Sequence, residues 1–172
     1  MGIKINRLTN ANIYMGNQNL IGRAEEIDLP ELKVVMTEHK ALGLVGKLEY
    51  PSGIDKLEAK IKWNSFYQDV FGSFANPYQA VKLMVRSSVE TYEGGDRIAQ
   101  LPAVCYMTCQ PKGFPLGKFK QHDNVELESS LGCTYIKLEI DGVLQVEFDA
   151  EANIFNVQGV DLLATYRANL GL

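Results

Sequence analysis

Long apolar stretches are missing from this chain: no run approaches the roughly 18 to 20 residues that a helix needs to cross a bilayer. The first ten residues, where Lys4 and Arg7 interrupt Ile3, Ile5 and Leu8, hold no apolar core of signal-peptide length either. A soluble product of the cytoplasm, with no membrane partner, is the expectation. Histidine is scarce. Only His39 and His122 are present, each alone in a polar stretch, so a serine nucleophile has no base nearby and both read as surface side chains. Cys105, Cys109 and Cys133 make an odd count and lie in strand-like stretches, which points to reduced, buried thiols. Their spacing does not suit zinc. Phosphate-cradling loops are also missing, since Gly94-Gly95 belongs to neither G-x-G-x-x-G nor the P-loop pattern. No cofactor, metal or nucleotide is expected.

Nor is there a basic surplus. The formal net charge is −4, and residues 123–151 carry eight acids against one base, Lys137. A nucleic-acid binder gathers Lys and Arg on one face instead, and the small cluster of Lys118 and Lys120 around Phe119 is flanked by acid. Glu126 with Glu128 and Glu147 with Asp149 have strand spacing, yet alternation with Val125, Leu127 and Phe148 explains them as solvated faces rather than as an acid–base pair. The chain reads as a protein without catalytic machinery.

What is present is a packed globular chain. A hydrophobic fraction of 46% against 22% charged residues argues against disorder, and 172 residues suit a single domain, 1–172. Period-two alternation dominates. In residues 56–63 it puts Leu57, Ala59, Ile61 and Trp63 on one face and charges on the other, as a half-buried strand requires. Residues 81–89, 103–109 and 123–131 read as further strands, and 33–38 as a weaker one. Residues 134–148 form a hairpin folded at Asp141-Gly142. A two-residue loop there would mix polar and apolar side chains on each face. The expected turn is therefore a three-residue loop with a bulge at Gly142, setting Ile136 and Leu138 against Val146 and either Leu144 or Phe148.

Two short helices are expected to pack on the sheet. One, capped by Asn64 or Ser65, carries Phe66, Tyr67, Val70 and Phe71 and ends at Gly72; the other, capped by Asp161, spans 162–168. Gly43, Gly46, Pro51 and Gly53 mark a long, flexible connection between Glu38 and Lys56. The fold class is thus mainly β (α+β), with roughly six to eight strands closed as a barrel or sandwich.

Certain residue strings go further. Ile27-Asp28-Leu29-Pro30-Glu31-Leu32 is followed by Glu38, Lys40, Gly43 and Gly46, then by Gly53-Ile54 leading into the strand at Lys56. Residues 135–149, with their Asp-Gly turn, precede Asn156-Val157-Gln158-Gly159-Val160-Asp161-Leu162-Leu163, and the chain closes on Arg167, Asn169, Leu170, Gly171 and Leu172. This order resembles the major tail tube proteins of contractile-tailed phages of the P2 type and of R-type tailocins. Residues 92–117 contribute no recognisable pattern to the likeness.

The resemblance implies a tail-tube fold and a structural role: hexameric rings stacked into a hollow tube inside a contractile sheath, in a virion tail or tailocin particle assembled in the host bacterial cytoplasm. It implies sheath, baseplate and tail-terminator partners, and DNA that passes without specific binding. Strands of each subunit would join a ring-wide inner barrel, and the N-terminal arm and the loop near Gly43 would reach the next ring. Leu42, Leu44, Val45 and Leu48 are the candidate inter-ring residues, because that loop offers them to water. Glu126, Glu128, Glu139 and Glu147 are candidates for a net-negative lumen. Two alternatives differ in class: the tube protein of a bacterial secretion system, and a small-ligand-binding β-barrel, which would hold a cavity where Trp63, Phe66 and Phe71 are expected to pack.

Overall fold

The computed structural model describes residues 2–117, Gln121, Val125 and 127–172. Lys118, Lys120, His122, Asp123 and Glu126 lie outside the described residues. Strand β6 (Leu57–Trp63) follows its alternation faithfully: Leu57, Ala59, Ile61 and Trp63 are buried, while Glu58 and Lys60 face solvent. It pairs antiparallel with the first half of β9 (Leu127–Ile140), where Leu127, Ser129, Leu131 and Cys133 repeat the same inward period. Trp63 brings a polar indole N–H into this core, and Ser129 is buried to receive it, at 2.8 Å. Phe74 packs edge-on against the Trp63 ring at 5.1 Å.

The long strands β7 (Val81–Glu93) and β8 (Asp96–Gly113) form a hairpin that turns at Gly94-Gly95. It fills much of the region that lacked a pattern in the sequence. Pro102 and Pro111 break the apolar rhythm of β8 without breaking the strand, and Pro111 sits beside a register shift. β9 runs along β8 for most of its length, and an unpaired Thr134 shifts its inward set from odd to even residues, from Cys133 to Ile136. Two strands expected from the sequence are therefore one bulged strand.

β10 (Val143–Asp149) returns from β9 through a two-residue turn, which corrects the three-residue loop expected at Gly142. Asp141 and Gly142 both have positive φ, 53° and 72°, the backbone of the tight hairpin turns that match strand twist. The apolar register is nevertheless the expected one, Ile136 opposite Phe148 and Leu138 opposite Val146, because the extra residue is taken up at Gln145, inside the strand.

β11 (Ile154–Val157) and the two-residue β12 (Val160–Asp161) extend this end of the sheet. At the other end β1 (Lys4–Met15) pairs with β7 along its whole length and β2 (Gln18–Asn19) folds back on it. β3 (Ala24–Asp28) pairs with the outer edge of β6. The sheet curls so that side chains from β1, β6, β7, β8, β9 and β10 meet in one core. It does not close. Between β1 and β3 lies an open cleft of about 1040 Å3, lined by Leu8, Ile13, Leu20, Ala24 and Ile27 among others. In all, twelve strands are found among the described residues, more than expected.

Three further expectations need correction. The connection after Glu38 is not a loop but a separate two-stranded hairpin of β4 (Val34–His39) and β5 (Leu48–Ile54). Helix α1 (Gln68–Ala75) starts later than expected and has no side-chain cap, because the Asn64 side-chain oxygen accepts the Tyr67 hydroxyl while its NH2 donates to the Gly22 carbonyl; Gly72 lies inside it. Its buried side chains are Val70 and Phe74, whereas Phe66 and Phe71 stack with Phe114 in an aromatic group, with Phe66 at the surface. Helix α2 (Ala164–Leu170) buries no side chain. It is tethered by Arg167, which donates to the Asn153 carbonyl and pairs with Asp161. Asp161 accepts the Leu163 N–H rather than forming the formal cap.

Candidate assembly surfaces

The β4–β5 hairpin is the most exposed element, with every residue from Val34 to Gly53 in its two strands open to solvent. Its own order comes from ladder pairs and short polar links: Thr37 and Ser52 hydroxyls at 2.7 Å, Glu38 with Lys47 at 2.8 Å, and His39 against the Tyr50 ring at 6.0 Å. All four residues predicted for this surface sit at its distal end. Leu42 and Val45 are fully exposed at the tip, and Leu44 and Leu48 are 48% and 41% exposed. The structure adds Val34, Val35, Met36 and Tyr50 to the exposed apolar side chains of this hairpin. The unbroken Val34-Val35-Met36 run was the sequence signal for them, since a strand apolar on both faces has to be covered on both faces.

The second surface is the polar side of the β1, β7, β8, β9 and β10 sheet. Here Glu139 and Glu147 come together around Lys137: Lys137 pairs with Glu139 at 2.7 Å, and Glu147 stands directly opposite Lys137 and accepts the Tyr135 hydroxyl at 2.9 Å. Partial burial and the Glu147 carboxylate push the Tyr135 hydroxyl above its ordinary pKa, and Glu139 raises that of Lys137. Farther along the sheet, Glu90 accepts from Tyr92, Arg97 and Gln100, which lowers its pKa.

Glu128 belongs elsewhere. It lies eleven residues before Glu139 on β9, about 35 Å along an extended strand, in a ladder on the outside of β3, β6 and β9. There Lys60 pairs with Glu128 at 3.1 Å, Lys62 with Glu25 at 3.1 Å, and Lys56 and Lys112 both with Glu58. The two lysines hold Glu58 down at about 2. The three described lumen candidates are thus divided between two walls, Glu139 and Glu147 on one and Glu128 on the other, each interleaved with bases. Glu126 lies outside the described residues.

Free strand edges form the third surface. Residues 4–8 of β1 have β7 on one side only, and Val143 and Leu144 of β10 have β9 on one side only. Exposed Ile5, Leu8 and Val143 accompany these edges, and Leu162, Tyr166 and Leu170 form an exposed stripe at α2. Among the described residues, no three His, Cys, Asp or Glu side chains converge on a metal-sized site, and no helix is long and apolar enough to cross a membrane.

A curled sheet with unpaired edges, polar walls and a projecting apolar hairpin defines a β-structured building block. The family model of phage tail tube protein FII matches residues 5–171, and the chain belongs to that family. A tail tube protein of Escherichia phage P2 is 27% identical over 165 residues, covering 94% of each chain. The fold is shared with the sheath-tube complex of the extracellular contractile injection system PVC in its extended state, at TM-score 0.57 and 10% identity, over 75% of this chain and 87% of that one. It also matches the PVC sheath/tube terminator (TM-score 0.55, 10% identity, 75% and 92%) and the anti-feeding prophage baseplate (0.51, 9%, 75% and 90%). The chain is a tail tube protein of the contractile, phage-like type, and the mainly-β tail-tube fold expected from the sequence is the one observed.

Proposed function

We propose that residues 1–172 act as one unit, a non-enzymatic protomer that forms hexameric rings, and that these stack into a hollow tube. The observation that carries this reading is the β4–β5 hairpin, which presents eight apolar side chains to solvent and, among the described residues, has no third strand to support it. Isolated two-stranded hairpins are marginal in water, so this one is read as the part that binds the next ring, through Leu42, Leu44, Val45 and Leu48. Within a ring, the β1 edge of one copy meets the β10 end of the next, a heterologous contact that closes by rotation while leaving top and bottom faces free to add rings.

The polar wall around Lys137, Glu139 and Glu147 is assigned to the lumen, where interleaved charge lets DNA pass without the counterion release that tight binding requires. Glu128 is assigned to the outside. The sheath, baseplate and terminator named in the structural relatives point to the same three partners here, in a virion tail or a tailocin-like particle assembled in the host cytoplasm. The test is negative-stain microscopy and light scattering of the purified protein at tens of micromolar. Tubes of constant width with sixfold end views are expected; a strictly monomeric protein overturns the reading.

A further inference from the structure

Nothing in the assembly reading uses the three buried thiols. Cys109 and Cys133 stand directly opposite each other on β8 and β9. Opposed residues on antiparallel strands have Cα atoms about 4.5 to 5.5 Å apart, inside the roughly 4.4 to 6.8 Å that disulfides span. Both side chains turn into the core, where the two thiols perturb each other, Cys109 being held above its ordinary pKa and Cys133 below. The bulged Thr134 stands next to Cys133 in β9.

The two sulfurs are not equivalent. Cys133 is 8% exposed, Cys109 only 1%. A second bulge, at Lys112 on β8, directs that side chain across β9 over Gly132. A Cβ at Gly132 would lie 2.7 Å from Lys112 Cε, so the lysine tip lies directly over this residue. The Cys109 thiol, and after it the Lys112 ammonium, which also pairs with Glu58, and the Ala59 backbone N–H favour the Cys133 thiolate against its burial. Cys105, on the same buried face, has no comparable support, and burial pushes its thiol up to about 12.

We propose that Cys133 and Cys109 form a thiol–disulfide exchange site, with Cys133 the attacking sulfur and Cys109 the resolving one, that closes into a covalent rung between β8 and β9 when the protein meets a small-molecule disulfide. Deprotonated Cys133 attacks one sulfur of oxidised glutathione; that S–S bond breaks, one glutathione thiolate leaves and takes up a proton, and a mixed disulfide remains on Cys133. Cys109 then loses its proton and attacks the Cys133 sulfur, expelling the second glutathione. Two protein thiols are oxidised and one glutathione disulfide is reduced to two thiols. The inference does not depend on how subunits assemble.

The experiment is incubation of the folded, reduced protein with oxidised glutathione, followed by denaturation, alkylation and peptide mass spectrometry, with circular dichroism confirming the native fold throughout. A Cys109–Cys133 linkage is expected, reversed by dithiothreitol, with Cys105 left alkylatable and any adduct on it forming at least ~10-fold more slowly. In Cys109→Ser, glutathione should remain on Cys133; in Cys133→Ser, neither adduct nor linkage should form. The proposal is overturned if all three thiols of the wild-type protein stay alkylatable, if the linkage involves Cys105, or if a Cys133 adduct forms and never resolves.

Discussion

Replacing Leu44 and Val45 with Asp tests the hairpin assignment where it is most exposed to failure. In the separate subunit Val45 is wholly solvated and Leu44 is 48% exposed, so the fold loses little, within about 0.5 kcal/mol for each surface position. The melting temperature should shift by no more than about 4 °C. In a stacked tube the same two side chains would be covered. The contact would forgo about 1.5 to 3 kcal/mol for each apolar side chain and would also have to desolvate two carboxylates at several kcal/mol apiece. A loss of about 3 kcal/mol per subunit, taken over the six hairpins of the proposed ring, is on the order of 18 kcal/mol, comparable to the roughly 18 to 21 kcal/mol at which non-covalent association saturates. Elongation should stop at single rings or subunits of native circular dichroism, scored by sedimentation and electron microscopy. Tubes of wild-type length from a protein shown to carry both substitutions would refute the reasoning and move the ring-to-ring contact to another surface.

Other perturbations test the core, the turn and the charge ladder. Ser129→Ala strands the buried Trp63 N–H and should cost about 1 to 3 kcal/mol in chemical denaturation; in a Trp63→Phe background the same change should cost clearly less, because no donor is left unpaired. Gly142→Ala, at φ 72°, should destabilise by about 1 kcal/mol or more, with the β9–β10 amides losing hydrogen-exchange protection first. The pKa values of Glu58, Asp69, Glu90 and Asp161 are lowered by their partners. Depressed carboxylates stabilise the fold above their unfolded pKa, so stability should be level near neutrality and fall as pH drops from about 4.5, Glu58 releasing its share last, near 2.

The elements that the sequence made legible are those whose two faces differ in polarity. β6 is one, and the pairing of Ile136 with Phe148 is another. A face argument constrains the total register shift between two strands, however, and not the residue that absorbs it. The shift was expected at Gly142 and occurs at Gln145, since Asp141 and Gly142 both adopt positive φ and complete a tight turn. β5 was hidden by Pro51 and Gly53, which edge strands tolerate where no ladder donor is needed. The helix start was misplaced because Asn64 has the chemistry of a cap but is held by the β2–β3 turn. Among the acidic candidates, alternation predicts which way each side chain points. It does not predict that β9 serves two walls, with Glu128 on one and Glu139 on the other.

The hairpin residues were legible for a different reason. An apolar side chain in a glycine-marked connection has no intramolecular partner to be matched with, so its sequence position already marks it as exposed. The structure adds that the connection is a paired ribbon, which alters the energetics of the proposed stacking. A flexible loop has to be ordered on docking, at a cost of roughly 1 to 2 kcal/mol for each backbone fixed. A ribbon with its rungs formed from Val34 to His39 and from Leu48 to Ile54 has met much of that cost before the next ring arrives. Only the tip, residues 40–47, then remains to be ordered, and it carries Leu42, Leu44 and Val45. Preorganisation of this kind converts more of the apolar contact into net affinity. It follows that breaking the ribbon without touching its tip, as with Thr37→Pro in the ladder opposite Tyr50, should weaken tube growth while leaving the isolated subunit folded. Growth unchanged by that substitution would mean that the tip docks as a loop and that the paired strands contribute nothing to stacking.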